Sequence, residues 1–507
     1  MLTIGNNCVQ NNLYLIIYNM KQTKIVATIS DLRCDVEFLT KLYKAGINVV
    51  RINTAHATPE GIRTVIRNVR AVSTRIGILI DTKGPEIRTM KTVTGEPIEF
   101  KAGQKVRIVG NTEGLTSQDE ICLSYLDIAK DVKRGNQILF DDGALSVMVM
   151  SVDDGVVNCM VENDGVLGNR KTVNVPNVHI DLPSITEKDR RNILLAIEED
   201  IEFIAHSFVR SAADVKAVQD ILDEHHSDIR IISKIENQEG VDNIDEIIKA
   251  SYGIMIARGD LGIEVPAYKI PGLQMRMIRK CVLANKPAIV ATQMLHTMME
   301  NPRPTRAEVT DIATAIFNNT SAVMLSGETA SGKYPVEAVK VMSAIAEQAE
   351  HDRRHEKLIN IPHPADNDLR SFFSHAAIKT TEQLGVQAIF TDSGTGMTAR
   401  YLSAWRGPKP IVAICYKEKV VRQLSLSYGI TPMYFSGLKD NRAMFIECVR
   451  ELYNQGYLKL SDRVTYLSGT LDGAGASVIS VNEVDDVINN KNFTISQLRT
   501  INDVELE

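Results

Sequence analysis

Lys234 and Glu236 stand two residues apart in the apolar run Arg230–Glu236. At a strand's period of two they leave the same face. Charge in a buried strand is costly unless it is paired or bound to metal. Asp260 closes a later apolar run, in Ala257-Arg258-Gly259-Asp260-Leu261-Gly262. Glu236 and Asp260 together could supply two carboxylate oxygens to Mg²⁺, an ion that completes such sites with water and substrate oxygens. Lys234 alongside could stabilise charge on a transferring phosphoryl group. Arg51 and Arg88 are candidate anion clamps. For Lys234 and its carboxylates taken alone, a buried ion pair is an equal alternative. The recurrence of cations and carboxylates after most of the apolar runs favours chemistry.

Those runs must be positioned by a scaffold. They are Lys24–Ile29, Asn48–Asn53, Gly77–Thr82, Phe203–Phe208, Arg230–Glu236, Gly253–Gly259, Ala288–Gln293 and Ala322–Gly327, each followed by a helical pattern. Near-continuous apolar runs predict strands buried on both faces, as in a parallel sheet. The number of units is that of a closed (β/α)₈ barrel, whose chemistry sits at the C-terminal ends of its strands. The polar residues lie there: Arg51, Asn53 and His56; Asp81, Thr82, Glu86 and Arg88; Lys234 and Glu236; Gly259 and Asp260; Thr292; Ser326.

The connection from Thr82 to Phe203 is far longer than a loop and helix require. It holds alternating segments punctuated by Asp142-Gly143, Asp154-Gly155 and Asp164-Gly165, which predicts a small inserted β domain at about 90–180 that could close over the barrel as a lid. The barrel then comprises 21–89 and 181–353. Beyond the polar linker at 363–367, helix-like and strand-like segments alternate again, predicting a C-terminal open α/β domain over 354–487. Residues 1–20 and 488–507 flank these domains.

A 507-residue chain that is 44% hydrophobic can build several such cores. Its net charge of −6 gives no reason to expect nucleic acid or anionic membrane as partners. The seven cysteines show no Cys-x-x-Cys spacing, which fits a reducing cytoplasm better than a zinc site or a secreted disulfide framework. We read no signal peptide and no membrane span. No Gly-x-x-x-x-Gly-Lys-Ser/Thr loop occurs and nothing suggests a Ser-His-Asp system. Thr305-Arg306-Ala307-Glu308 reads as a helix cap, Met275, Met277 and Ile278 as a core stripe, and His225-His226 as a solvated helix end.

The segment ISKIENQEGVDNIDEI from Ile232 closely resembles the central signature of pyruvate kinases. So do DTKGPEIRT from Asp81, IARGDLGIE from Ile256, ATQML from Ala291, NPRPTRAE from Asn301 and MLSGETA from Met324. The likeness runs in order over about residues 22–485. It implies a cytoplasmic phosphotransferase acting at the final step of glycolysis, moving a phosphoryl group from phosphoenolpyruvate to ADP to give pyruvate and ATP. By resemblance, Lys234 stabilises the phosphoryl transition state and Arg51 contacts the phosphate. Glu236 and Asp260 hold Mg²⁺, and Gly259, Asp260 and Thr292 line the substrate site. Thr292 and Ser326 belong to the relay that protonates the enolate. Asn53, His56, Arg88 and Lys171 contact the nucleotide. Asn53, Asp81 and Thr82 match a K⁺ site, and Glu86 resembles the K⁺-dependent branch. A homotetramer is also implied.

Two positions depart from the family pattern. Ala55 stands where a serine hydroxyl usually ligates K⁺, a gap that water could fill. Asp31 places an acid near the nucleotide end of the site, in Thr28-Ile29-Ser30-Asp31. In the C-terminal domain, Thr391-Asp392-Ser393-Gly394-Thr395-Gly396 lies between a strand and a helix, a geometry that suits phosphate; the matching family region binds phosphorylated effectors in some members. Asp392 counts against an anion there. A Mg²⁺-dependent aldolase of the pyruvate-enolate type and a non-catalytic regulatory binder on the same scaffold are the rival readings; the lid and Lys234 argue against the first, and the retained Lys234, Glu236, Asp260 and Thr292 against the second.

Overall fold

The computed structural model describes residues 21–55, 57–356, 368–435, 441–469 and 476–489. His56, the linker at 363–367, the segment 1–20 and most of the tail from 488 lie outside the described residues.

Eight strands, Lys24–Thr28, Val49–Asn53, Gly77–Asp81, Phe203–His206, Arg230–Ile235, Gly253–Ala257, Ala288–Ala291 and Ala322–Leu325, close into a barrel. Each pairs in parallel with its successor in the chain, and the eighth returns to the first. Their apolar runs are unbroken because both faces are covered. Val26, Val49, Leu79, Phe203, Ile232 and Met255 fill the barrel interior. The alternate residues, among them Ile25, Ile52, Ile78 and Ile254, pack beneath the surrounding helices. The charged side chains of the candidate site fall at the C-terminal strand ends, where no further layer of apolar side chains has to be filled.

After the third strand the chain builds a separate β layer. Seven strands lie in the order Ile87–Arg88, Thr172–Asn174, Gln137–Phe140, Leu145–Asp153, Val156–Val161, Lys105–Gly110 and Glu120–Leu123. The two ends of this order meet, since Thr89 bridges Leu123 and Met90 N donates to Cys122 O at 2.8 Å. The sheet therefore curls round a core of its own that includes Ile108, Phe140, Val147 and Val157. Asp154 and Gly155 turn the central hairpin with φ of 49° and 81°, the left-handed pair that two-residue hairpins require. Its first strand starts before residue 90, because Ile87 and Arg88 pair with Val173 and Thr172.

The C-terminal sheet has five strands, in the order Ile430–Tyr434, Ile411–Cys415, Ala388–Ser393, Arg463–Gly469 and Ala476–Glu483; only the last is antiparallel to its neighbour. This unit docks on the N-terminal mouth of the barrel. Leu426 joins the barrel's interior cluster as a plug. Gly77 lets it approach: a Cβ there would collide with the Ser425 hydroxyl.

One expected core residue is on the surface. Helix Ile270–Leu283 buries Met277 and Ile278 but leaves Met275 53% exposed, because a two-residue step on a helix turns through about 200° and carries Met275 to the opposite side from Met277. The Thr305 cap forms as expected, with Thr305 and Glu308 in a reciprocal capping box.

Candidate active site

The second, third, fourth and fifth strand ends converge on one buried ion cluster. Arg51 Nε meets Asp81 Oδ2 at 2.6 Å, and Arg51 Nη1 donates to Thr28 Oγ1 at 3.0 Å. Lys234 Nζ lies 3.1 Å from Asp81 Oδ1 and 2.9 Å from Glu236 Oε1, so the two residues share a face as their spacing requires. The ammonium also donates to Ser207 Oγ at 2.7 Å. Ser207 in turn donates to Thr82 O at 2.7 Å. The second oxygen of Glu236 accepts from Phe208 N at 2.7 Å.

The electrostatics follow from this packing. Burial pushes the Asp81 carboxyl up, but Arg51 and then Lys234 overcome it and hold it below the usual carboxylate range. Burial would deprotonate Lys234, yet Asp81 and Glu236 hold its ammonium above its ordinary value. Glu236 goes the other way: burial drives it up to about 7 against the pull of Lys234, and Asp260 adds to the push.

Glu236 and Asp260 share the wall of a cavity of about 390 Å³ between the barrel and the lid, together with Glu264, Phe208, Arg210 and Asn174. A buried carboxylate whose charge is further opposed by the neighbouring Asp260 is a donor that a divalent cation relieves. Among the described residues no group of three or more His, Cys, Asp and Glu side chains is placed to hold a metal. Two carboxylates with room for water and substrate oxygens suit Mg²⁺, which is seldom caged by protein alone.

Thr292 and Ser326 follow the seventh and eighth strands. Thr292 Oγ1 accepts from Gly259 N at 2.8 Å, which ties the sixth and seventh strand ends together. Ser326 N donates to the buried Glu328 at 2.7 Å. Arg88 and Lys171 sit on the lid, where Arg88 pairs with Glu86 and Lys171 Nζ with Asp141 at 2.8 Å; neither lines the cavity. Asn53 lies beside Asp81 in the strand register and its Oδ1 accepts from Ala55 N, while Lys188 Nζ donates to the Ala55 carbonyl at 2.9 Å. Asp31 packs against Gly61, where a Cβ would strike its carboxylate.

Sequence reasoning missed Ser207, which gathers Lys234, Asp81 and Thr82. Its signal was positional, since Ala205-His206-Ser207-Phe208 ends the fourth strand, but no charge marks it. It also missed Glu264, which accepts from Asn174 of the lid at 2.9 Å.

A lidded (β/α)₈ barrel with this cation–carboxylate centre is a barrel phosphotransferase. The family model for the pyruvate kinase barrel domain matches residues 20–339, and that for the pyruvate kinase alpha/beta domain matches residues 372–481. The chain belongs to the pyruvate kinase family, whose reaction moves the phosphoryl group of phosphoenolpyruvate onto ADP. It is 44% identical to the pyruvate kinase of Borreliella burgdorferi over 93% of this chain and 99% of that one. It is 42% identical to that of Bacillus licheniformis over 92% and 81%. The crystal structure of a pyruvate kinase from Cryptosporidium parvum superposes with a TM-score of 0.86 at 34% identity, covering 96% of this chain and all of that one.

Proposed function

We propose that Lys234, Glu236, Asp260, Arg51, Thr292 and Ser326 carry phosphoryl transfer and protonation, with the lid supplying the nucleotide end of the site. The observation that carries this reading is the Lys234 ammonium, gripped by Asp81 and by Glu236, which itself lines a cavity together with Asp260. Glu236 and Asp260 would hold Mg²⁺, whose charge neutralises phosphoryl and enolate oxygens when it is bound. Arg51 and Lys234 place two fixed cations where a phosphate would sit, so they stabilise the loose transition state without reorganising. Gly259, Asp260 and Thr292 line the substrate end. After transfer, the Thr292 hydroxyl, resupplied through Ser326, delivers the proton that completes pyruvate. Lid closure excludes water that would otherwise take the phosphoryl group.

Asn53, His56, Arg88 and Lys171 form the nucleotide end. Asn53, Asp81 and Thr82 would hold K⁺, with the Ala55 position filled by water. The protein works in the cytoplasm as a homotetramer; no helix of the described residues is long and apolar enough to cross a membrane. The loop Ser393–Gly396 would take a phosphorylated effector, a reading supported by Asp392 turning away from it to accept from the Tyr416 and Tyr466 hydroxyls.

Mn²⁺ binding followed by electron paramagnetic resonance tests the metal assignment without relying on turnover. We expect one Mn²⁺ site per chain, weakened roughly 10- to 100-fold or more by Glu236→Gln or Asp260→Asn. Unchanged affinity in both variants would place the divalent ion elsewhere.

A further inference from the structure

Thr292 and Gln293 leave the seventh strand with φ of 68° and 56°. Neither is glycine, and Thr292 branches at Cβ, so this left-handed pair is unfavourable by itself. Such a conformation persists only where its surroundings over-determine it. Two of the restraints are made by its own hydroxyl: Thr292 Oγ1 accepts from Gly259 N and donates to Ala291 O at 2.7 Å. The third comes from another side chain. Arg258 Nη2 donates to the Thr292 carbonyl at 2.7 Å.

Arg258 is only 9% exposed, and its own position is fixed from two helices. Nη1 donates to Asp311 at 2.7 Å, on helix Arg306–Phe317, and reaches Gln274 Oε1 at 3.4 Å, on helix Ile270–Leu283. One planar fork thus joins two helices to the backbone of the strained residue. A lysine has no such fork: its three donors radiate from one nitrogen and do not reproduce the planar spread between these acceptors.

We propose that Arg258, held by Asp311, is the positioning residue that locks Thr292 in its left-handed turn and so aims the Thr292 hydroxyl at the carbon that accepts the proton. This rests on the reading of Thr292 as proton donor. In that step the enolate methylene forms a C–H bond, the Thr292 O–H bond breaks, and water restores the hydroxyl proton through Ser326. With the turn released, the hydroxyl swings away and the enol is protonated by solvent from either face.

Phosphoenolpyruvate bearing deuterium at one C3 position, turned over in tritiated water, reports the face of protonation in the methyl group of pyruvate. We expect wild type to protonate one face. Arg258→Gln should give mixed faces and proton exchange on pyruvate slowed about 100-fold, the scale of a 1 Å misplacement, with KM for phosphoenolpyruvate moved far less than kcat. Asp311→Asn, which keeps size and removes only the charge, should shift the same readouts in the same direction, and Arg258→Lys should restore part of the fidelity. If Arg258→Gln does not fold, Asp311→Asn decides. Slower turnover with one-face protonation and an unchanged ratio of exchange to transfer would leave Arg258 a structural residue and overturn the proposal. Thr292→Val separates the two ideas: retained fidelity in that variant refutes the donor role itself. Fidelity lost in Thr292→Val but kept in Arg258→Gln and Asp311→Asn refutes only the positioning.

Discussion

Lys234 faces two carboxylates, Asp81 and Glu236, but does not have Asp81 to itself. Asp81 is already matched by Arg51, so the ammonium keeps attraction to spare for an incoming phosphoryl group. Lys234→Met removes this cation and leaves the Glu236–Asp260 pair. We expect phosphoryl transfer to fall on the order of 10³-fold, the cost of deleting one preorganised transition-state partner, while divalent-dependent proton exchange on pyruvate stays measurable. Loss of both activities in a folded variant would contradict that division of labour. At this scale the sequence was informative where charge interrupts an apolar run, as at Lys234, Glu236 and Asp260. It was silent for Ser207, an uncharged strand end, and for the partner of Arg258, because Asp311 lies 53 residues further along and on a helix. Spacing reports neighbours on one element and not contacts between elements.

The strands of the barrel were legible because parallel strands buried on both faces must be apolar throughout. The lid was legible through alternation and Asp-Gly turns. Its closure through Thr89 and Leu123 was not, since a long-range bridge leaves no local pattern. The lid's last strand ends at Asn174, whose amide donates to Glu264 on the barrel helix Arg258–Glu264. Burial raises the Glu264 carboxyl above its ordinary range, partly offset by the bond from Asn174. Asn174→Ala should therefore loosen the lid's seat while costing only about 1 kcal/mol of stability. The expected sign is more phosphoenolpyruvate lost to water per ATP made, measured as phosphate released against ATP formed. An unchanged ratio would mean that this bond does not hold the lid. Met275 shows the limit of reading a helix by composition: three apolar residues in four positions cannot all face one side.

Across the whole molecule, the barrel and the C-terminal domain meet over buried cations. Lys24 Nζ donates to Ile430 O at 2.7 Å, and burial, then Lys21, lower its pKa from 10.5 to about 7. Between those two values the unfolded chain keeps a proton that the folded chain has lost. Stability from this group therefore rises with pH through that window and is lowest below it. Wild type should gain on Lys24→Met by up to about 1.4 kcal/mol per pH unit as pH climbs from neutrality, read from denaturation midpoints at several pH values. A pH-independent difference would show that Lys24 stays protonated in the folded junction. This junction was invisible in the sequence beforehand, because Leu426 and Ser425 look like any loop until the barrel mouth they close is known.

Transfer of a phosphoryl group from phosphoenolpyruvate to ADP is proposed to run through Lys234, Glu236 and Asp260. The most direct measurement is pyruvate formation from the two substrates with Mg²⁺, with and without K⁺, in wild type and in Lys234→Met. The expected result is Mg²⁺-dependent pyruvate and ATP in equal amounts, raised by K⁺ and lowered on the order of 10³-fold in the variant. A folded wild-type protein that makes no pyruvate across divalent ions and nucleotides, or a Lys234→Met protein that turns over like wild type, would contradict it.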